Sequence, residues 1–313
     1  MKTHEILYQT LAQAQDYVNG EQLAQEMGLS RTSIWKAIQR LEKEGIEIES
    51  VKKRGYKILS GDLLIPQVIE EHCPLTVSYN PHSQSTQLDA KNAMEAGGHS
   101  STLYLAPYQT AAKGRFGRDY FCPSQGGIYM SLHLKPNLPF DQAPAYTLMV
   151  AAAIYKALKN LALLDVDIKW VNDIYYKGKK VGGILTEAIS SIETGLITDV
   201  IIGIGLNFAI TNFPTELKDK AGSLFDSQPP ITRNELIAEI WKEFFNSPEE
   251  ELIYLYKQRS LVLGKEVCFE QNQTSYQGLA KDISDSGQLL VQLTDGQERW
   301  LNSGEISLKQ WDL

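Results

Sequence analysis

The hydrophobic period of this chain changes abruptly near residue 45, and that change limits what its N-terminal end can fold into. Upstream, apolar residues recur at helical spacing three times over. Ile6, Leu7, Leu11 and Ala14 are expected on one face of a helix over residues 4–14. Leu23, Ala24 and Met27 are expected inward on a short second helix over 20–27, and Ile34, Ile38 and Leu41 on a third that begins at Arg31. Between the last two stands "MGLS", in which Gly28 supplies the turn, Leu29 an apolar plug and Ser30 an N-cap. Downstream, "IEIESVKKRGYKIL" alternates apolar and polar residues around a "KKRG" tip, as a β-hairpin does. Three helices followed by a basic hairpin make a winged helix-turn-helix, expected over residues 1–62. Its third helix turns Arg31, Thr32, Ser33, Lys36 and Arg40 away from the buried face, able to enter a major groove, while Lys52, Lys53 and Arg54 of the wing reach phosphates. A solvated helix face and a charged turn would look the same residue by residue; the order of the elements is what favours DNA.

The chain has 313 residues, too many for one ordinary core, so two or three domains are expected. Its net charge of −8 argues against a general polyanion binder. The charge is uneven, however. The first 60 residues hold nine Lys/Arg and eight Asp/Glu, leaving 21 against 30 for the rest, which suggests a separate near-neutral module on an acidic body. Cys73, Cys122 and Cys268 lie far apart with no C-x-x-C pair, which fits a reducing, cytoplasmic setting and no disulfide framework. The start "MKTHEILYQTLAQ" shows no secretory pattern. The most apolar stretch, 145–164, is interrupted by Lys156, Lys159 and Asn160, so no membrane span is expected. His4, His72, His82, His99 and His133 lack metal-ligand spacing, and no protein metal site is expected.

Residues 66–260 read as one α/β body. "TLYLAPY", "GIYMSLHLK", "VDIKWVN", "VGGILTEAI" and "VIIGIGLNFAI" read as strands; "APAYTLMVAAAIYKALKNL" and "RNELIAEIWKEFFN" read as helices. Helices and strands are grouped rather than strictly alternating, which suggests α+β with a largely antiparallel or mixed sheet. Over 263–313 the texture changes to short strands ("KEVCFEQ", "TSYQGLAKDI", "QLLVQLTDG", "ERWLNSGEISL") with a hairpin signal at Asp295-Gly296, the pattern of a small β-barrel.

Within the body, "AAKGRFGR" (111–118) places Lys113, Arg115 and Arg118 on a loop spaced by Gly114 and Gly117. Three cations repel one another unless an anion lies between them, and a polyphosphate would supply charge-assisted hydrogen bonds to all three. Glycine spacing suits a lid that orders over a ligand and shuts out water. The stretch is neither a P-loop nor a dinucleotide fingerprint. A plain exposed turn is the alternative for the loop alone. It stands, however, in one body with "KWVND" (169–173), with Lys180 followed by Gly182 and Gly183, and with Asn207 closing an apolar strand.

"QSTQ" (84–87), "YQTAAKGRFGR" (108–118), "KWVND" (169–173), "KKVGGILTE" (179–187), "GIGLN" (203–207) and "GEISL" (304–308) occur in one order. With the N-terminal segment they give the chain, over nearly its whole length, a resemblance to the bifunctional biotin–protein ligase/biotin operon repressor family. The resemblance implies a winged helix-turn-helix, a mixed-sheet ligase domain of the biotin/lipoate ligase type and a C-terminal SH3-like barrel. It implies formation of biotinyl-5′-AMP from biotin and ATP, with Mg²⁺ on the polyphosphate. Transfer to a lysine of the biotin carboxyl carrier protein of acetyl-CoA carboxylase would follow, as expected of a biotin–[acetyl-CoA-carboxylase] ligase. It also implies a homodimer, formed when the adenylate is bound, that grips operator DNA.

By motif position, the resemblance places Ser85, Thr86, Gln87 and Gln109 at biotin's ureido head, and Lys113 and Gly114 over the vitamin. Gly183 is carried over to the biotin pocket as well. Lys180 would lie near the carboxylate and α-phosphate, Arg115 would hold the adenylate, and Arg118 would meet phosphates. Trp170, Asn172 and Asn207 fall on the nucleotide side, with Lys309 near the C-terminus. Asp173 is left between placing Mg²⁺ and orienting Lys180. Three departures stand out: Ala112-Lys113 replaces a Gly-Arg, "QSTQ" replaces D-S-T-N, and Val171 replaces a proline. Lysine keeps the charge of arginine but loses its bidentate fork. A ligase with a vestigial DNA-binding segment, a lipoate ligase and a biotin-binding regulator without activity are the competing readings. The absence of an R-R-x-x-G-G-G stretch weighs against the second, and the intact cationic loop with Lys180 against the third.

Overall fold

The computed structural model describes residues 1–271, 273–302, 304 and 306–308. At the N-terminus, α1 (Thr3–Gln13), α2 (Gly20–Glu26) and α3 (Arg31–Lys43) precede an antiparallel hairpin of β1 (Glu47–Val51) and β2 (Gly55–Ser60). The caps are local in sequence. The Glu21 amide donates to Asn19 Oδ1 at 2.8 Å, and the Ser33 amide to Ser30 Oγ at 3.1 Å, as the sequence predicts for Ser30. Leu7, Leu11, Leu23, Ile34, Ile38, Leu41 and Ile46 fill the core of this unit. Ile6 does not join them; it is 42% exposed. Leu7 and Leu11 sit one turn apart with Tyr8 beside them, and a residue one position earlier lies about 100° round the helix, outside that line. Gly55 holds the wing against the α1–α2 connection. Its φ is +115°, and a Cβ there would stand 2.0 Å from the Val18 carbonyl oxygen.

The body carries α4 (Pro66–Glu70), β3 (Thr76–Tyr79), α5 (Thr86–Glu95), β4 (Thr102–Ala106), β5 (Gly127–Leu134), β6 (Leu138–Pro139), α6 (Tyr146–Ala162), β7 (Asp167–Lys169), β8 (Asp173–Tyr176), β9 (Lys179–Ser190), β10 (Leu196–Asn207), α7 (Arg233–Asn246) and α8 (Glu249–Gln258). Its sheet runs β3-β4-β5-β10-β9-β8-β7, with β6 pairing β10. Only β3 and β4 pair in parallel among these strands; the other pairings are antiparallel. The fold is therefore α+β with a mixed sheet. Alternation along β10 sets its two faces. Val200, Ile202 and Ile204 enter the large core with α6, α7 and α8, whereas Ile201 packs with Ala90 of α5 and Tyr104 on the opposite face. Gly203 and Gly205 share the face of Ile201, and this is where the cavity opens.

The last segment forms an antiparallel sheet in the order β14-β13-β12-β11-β15, built from β11 (Glu266–Gln271), β12 (Thr274–Ile283), β13 (Leu289–Leu293), β14 (Glu298–Leu301) and β15 (Ile306–Leu308). "ERWLNSGEISL", expected as one strand, is thus two, β14 and β15, at opposite ends of that order. Val267, Ile283, Leu289 and Val291 of this sheet belong to the same apolar cluster as the body, and Trp170 Nε1 donates to the Gly287 carbonyl at 2.9 Å. At the other end, Arg233 of α7 pairs with Asp62, and Asn234 exchanges hydrogen bonds with Ile65 and Leu63, so the segment after the hairpin is fastened to the body. Cys73, Cys122 and Cys268 are free; burial pushes the Cys73 thiol up to about 11 and the Cys122 thiol to about 12. No helix among the described residues is long and apolar enough to cross a membrane.

Candidate active site

A cavity of about 360 Å³ opens beside the N-terminal end of α5. Its floor is strand backbone almost without side chains. Gly183 of β9 pairs with Gly205 of β10, and Gly203 lies two residues along the same face. The space above them is already taken: a Cβ on Gly205 would come within 2.6 Å of the Tyr120 ring, and one on Gly203 within 2.6 Å of Gln87 Oε1. Gly183 is expected in the pocket from its motif position; Gly203, Gly205, Tyr120 and Ser131, which carry no such expectation, line it as well. Glycines at alternate positions of "GIGLN" were a usable signal, because they strip one face of a strand.

One end of the cavity is polar. Ser85 occupies the N-cap position of α5, with Thr86 and Gln87 in its first turn. The Thr86 amide donates to Gln109 Oε1 at 2.6 Å, Thr86 Oγ1 lies 2.9 Å from Ser131 Oγ, and Ser131 donates to Gln87 Oε1 at 2.9 Å. Thr86, Gln87 and Ser131 are buried.

The cationic loop covers the other side. Lys113, Gly114, Arg115 and Arg118 all line the cavity. The loop closes on itself: the Gly114 amide donates to the Arg118 carbonyl at 2.8 Å, a short 3-10 turn runs over Arg115–Gly117, and Lys113 Nζ donates to Asp119. That ammonium lowers the Asp119 carboxyl below its usual value. Arg115 donates to Asn172 Oδ1 at 3.0 Å, and the guanidinium carbons of Arg115 and Arg118 lie 5.1 Å and 5.9 Å from the centre of the exposed Phe116 ring.

Between floor and lid, Lys180 Nζ donates to Asp173 Oδ1 at 2.6 Å across the β8–β9 pair. Trp170 is buried in the wall, its indole spent on Gly287; the Trp170–Val171 peptide is cis. Asn172 donates to the Ile184 carbonyl at 2.8 Å, which aims its oxygen at Arg115. Asn207 is not among the lining residues: its carboxamide donates to the Gly222 carbonyl at 2.8 Å, so in this structure it ties the end of β10 to the following loop. Lys309 falls outside the described residues.

Comparison with known proteins finds relatives for each segment of the chain. Residues 3–57 match an HTH domain, residues 80–207 the Biotin/lipoate A/B protein ligase family, and residues 262–309 the Biotin protein ligase C terminal domain. The Bifunctional ligase/repressor BirA of Bacillus subtilis is 32% identical over 313 residues, 94% of each chain. This chain belongs to the bifunctional biotin–protein ligase/repressor family. Its Escherichia coli relative, also named Bifunctional ligase/repressor BirA, is 27% identical over 94% of each chain. Among solved structures, a biotin protein ligase from Aquifex aeolicus in complex with biotin and ATP superposes with a TM-score of 0.61 at 26% identity, covering 75% of this chain and 99% of that one.

In the segment that gives this ligase/repressor chain its HTH match, Arg31, Thr32, Lys36 and Arg40 lie exposed on α3, and Lys52, Lys53 and Arg54 are exposed at the wing tip. Ser33 is half-buried, its hydroxyl 2.9 Å from that of Ser30. Three of the cations already have carboxylate neighbours: Arg31 with Glu21, Arg40 with Glu44, and Arg54 with Asp16.

Proposed function

We infer that this protein is an ATP-dependent biotin–protein ligase that also acts as a biotin-responsive transcriptional repressor. One observation carries the enzymatic half: a polar recognition end, a lysine–carboxylate pair and a cationic lid converge on one cavity over a bare glycine floor. The ureido head of biotin would lie against Ser85, Thr86, Gln109 and Ser131, beside Gln87. Its carboxylate would point towards Lys180, whose ammonium Asp173 holds in place. Gly183 would let the ligand lie against the sheet, while Gly203 and Gly205 make room for the Gln87 carboxamide and the Tyr120 ring that border it. Lys113 and Gly114 would close over it. The nucleotide would lie between Arg115, Arg118, Trp170 and Asn172; Asn207 would act from behind, through the strand end it fixes.

In the first step a biotin carboxylate oxygen attacks the α-phosphorus, and the bond to pyrophosphate breaks. Two anions must meet, and Lys180 with Arg115 and Arg118 offsets their repulsion and the charge that builds on phosphorus. Magnesium would enter with the nucleotide as MgATP. The two aspartates that line the cavity, Asp119 and Asp173, each already pair with an ammonium, so polyphosphate oxygens rather than protein carboxylates suit the cation. In the second step the ε-amine of a lysine on a biotin carboxyl carrier domain attacks the acyl carbon, an amide forms, and AMP leaves. The lid keeps the mixed anhydride from water in between. The repressor half rests on the exposed cations of α3 and the wing, with the adenylate as the corepressor that drives homodimerisation on operator DNA in the cytoplasm.

The deciding assay is exchange of labelled pyrophosphate into ATP. Wild type should exchange with biotin and not with lipoate. Lys180→Ala should cut kcat by roughly 10²–10³-fold, the size expected when one charge-stabilising group is lost. Exchange that ignores biotin, or a K180A protein as fast as wild type, would defeat the reading.

A further inference from the structure

Gln87 lines the cavity, yet its carboxamide is engaged with the protein. Nε2 donates to Glu187 Oε2 at 2.8 Å and to the Ile201 carbonyl at 3.2 Å, while Oε1 accepts from Ser131. A carboxamide can be turned end for end unless its partners forbid it. Here they do: a carboxylate and a carbonyl only accept, so nitrogen must face them and oxygen must face Ser131. Proton counting gives the rest. The single hydroxyl proton of Ser131 goes to Gln87. The hydroxyl proton of Thr86 then goes either to Ser131 Oγ at 2.9 Å or to Gln109 Oε1 at 3.2 Å, and both are acceptors. Neither hydroxyl keeps a donor for a ligand. Both turn lone pairs towards the cavity.

We propose that Glu187, which does not line the cavity, is a positioning residue that fixes the donor–acceptor sense of the biotin pocket: by orienting Gln87, it makes the Ser131 and Thr86 hydroxyls acceptors for the ureido N–H groups. Lys91 of α5 holds the second carboxylate oxygen at 2.9 Å, so the anchor spans from α5 to β9. Gly203 leaves room for the carboxamide that carries the signal. The inference rests on the reading of the cavity as a biotin site.

The test compares Glu187→Leu, Gln87→Leu, the double variant and Glu187→Gln in pyrophosphate exchange, with thermal melting to establish folding. Loss of the relay leaves buried hydroxyls free to point donors at donors. E187L should therefore raise the KM for biotin about tenfold, with kcat and the KM for ATP within about twofold of wild type. E187Q, which keeps an acceptor oxygen, should stay within about threefold. The double variant should be no worse than Q87L alone, because Glu187 acts through Gln87. A biotin KM in E187L within about twofold of wild type, effects that multiply in the double variant, or a parallel rise in the KM for ATP would each overturn the proposal. A further measurement needs no variant: biotin methylated at one ureido nitrogen should show a KM at least about tenfold higher on wild type, and equal use would also overturn it. A wild type without biotin-dependent exchange would remove the underlying reading first, and that outcome is distinct from an active wild type with an unaffected E187L.

Discussion

Replacing Arg233 with methionine should unfasten the N-terminal segment from the body at a cost that can be worked from its partners. Arg233 is 8% exposed at the first turn of α7. Its side chain donates to Asp62 Oδ2 at 3.2 Å, to the Gly127 carbonyl at 3.0 Å, and to the Asp62 carbonyl. Asp62 Oδ1 has no hydrogen-bond partner among the described residues, so this carboxylate depends on one oxygen. Methionine keeps the apolar stem and removes the three side-chain donors, leaving Asp62 with the Arg233 backbone amide alone. Breaking a buried pair from one side costs about 3–5 kcal/mol, and the partial exposure of Asp62 points to the lower end, about 3 kcal/mol. For a body of this size that is a fall of roughly 6–12 °C in Tm. The deficit should depend on pH. Burial already raises the Asp62 carboxyl above its usual value, and Arg233 is the main influence that opposes the rise. Without Arg233 it rises further, so the folded state takes up a proton more readily than the unfolded chain. The penalty is then full above the folded value and shrinks as pH falls through it. The gap between wild type and R233M, read by circular dichroism, should be smaller at pH 5.5 than at pH 8. A variant melting within about 2 °C of wild type at pH 8, or a gap as large at pH 5.5, would refute the reasoning.

Gly205→Ala places a methyl where the Tyr120 ring lies 2.6 Å away, so the ring must move towards the ligand space; the KM for biotin should rise at least about tenfold while the chain stays folded, and an unchanged KM would show that Tyr120 does not border the bound biotin. Lys53, exposed at the wing tip, should contribute one phosphate contact: Lys53→Ala should weaken binding to a 40-bp duplex of arbitrary sequence and reduce the salt-dependence slope by about 1. With wild type, biotin plus ATP should shift sedimentation towards a dimer and tighten that binding; no response would leave a ligase with a vestigial DNA-binding segment.

Local patterns were legible in the sequence where a residue's own neighbours decide its fate. Ser30 caps α3 because its partner is three residues on, and Ile34, Ile38 and Leu41 point inward because the helix period places them together. The cluster at the site was legible for a different reason: cations, glycines and short polar residues have few roles in a core, so their grouping stands out. What stayed hidden depends on distant partners. "QSTQ" stands out as a motif, but nothing in it marks the start of α5, whose inward residue Ala90 packs with Tyr104 and Ile201 from distant strands. Gly203 and Gly205 look like ordinary strand interruptions until Gln87 and Tyr120 are seen to occupy their side-chain space. Asn207, expected at the nucleotide, donates instead to Gly222, a partner that no local spacing announces. The Gln87–Glu187 bond joins residues a hundred positions apart.

The lid illustrates how the same residues can be settled in the structure and still be available to a polyphosphate. Lys113 has Asp119, Arg115 has the neutral amide of Asn172, and Arg115 and Arg118 lie beside Phe116. None of these contacts is costly to exchange. The Lys113 and Asp119 side chains are 55% and 91% exposed, and such a pair contributes about 0–1 kcal/mol. A guanidinium bonded to a neutral amide forgoes the stronger bond it can make to a charged oxygen, and charge-assisted bonds are worth roughly 1.5–3 kcal/mol each. Anionic oxygens arriving at the loop would therefore offer Lys113 and Arg115 better partners than their present ones. The interim contacts of Lys113 and Arg115 hold the loop in shape, and their weakness would let it exchange them for phosphate without crossing a large energetic gap.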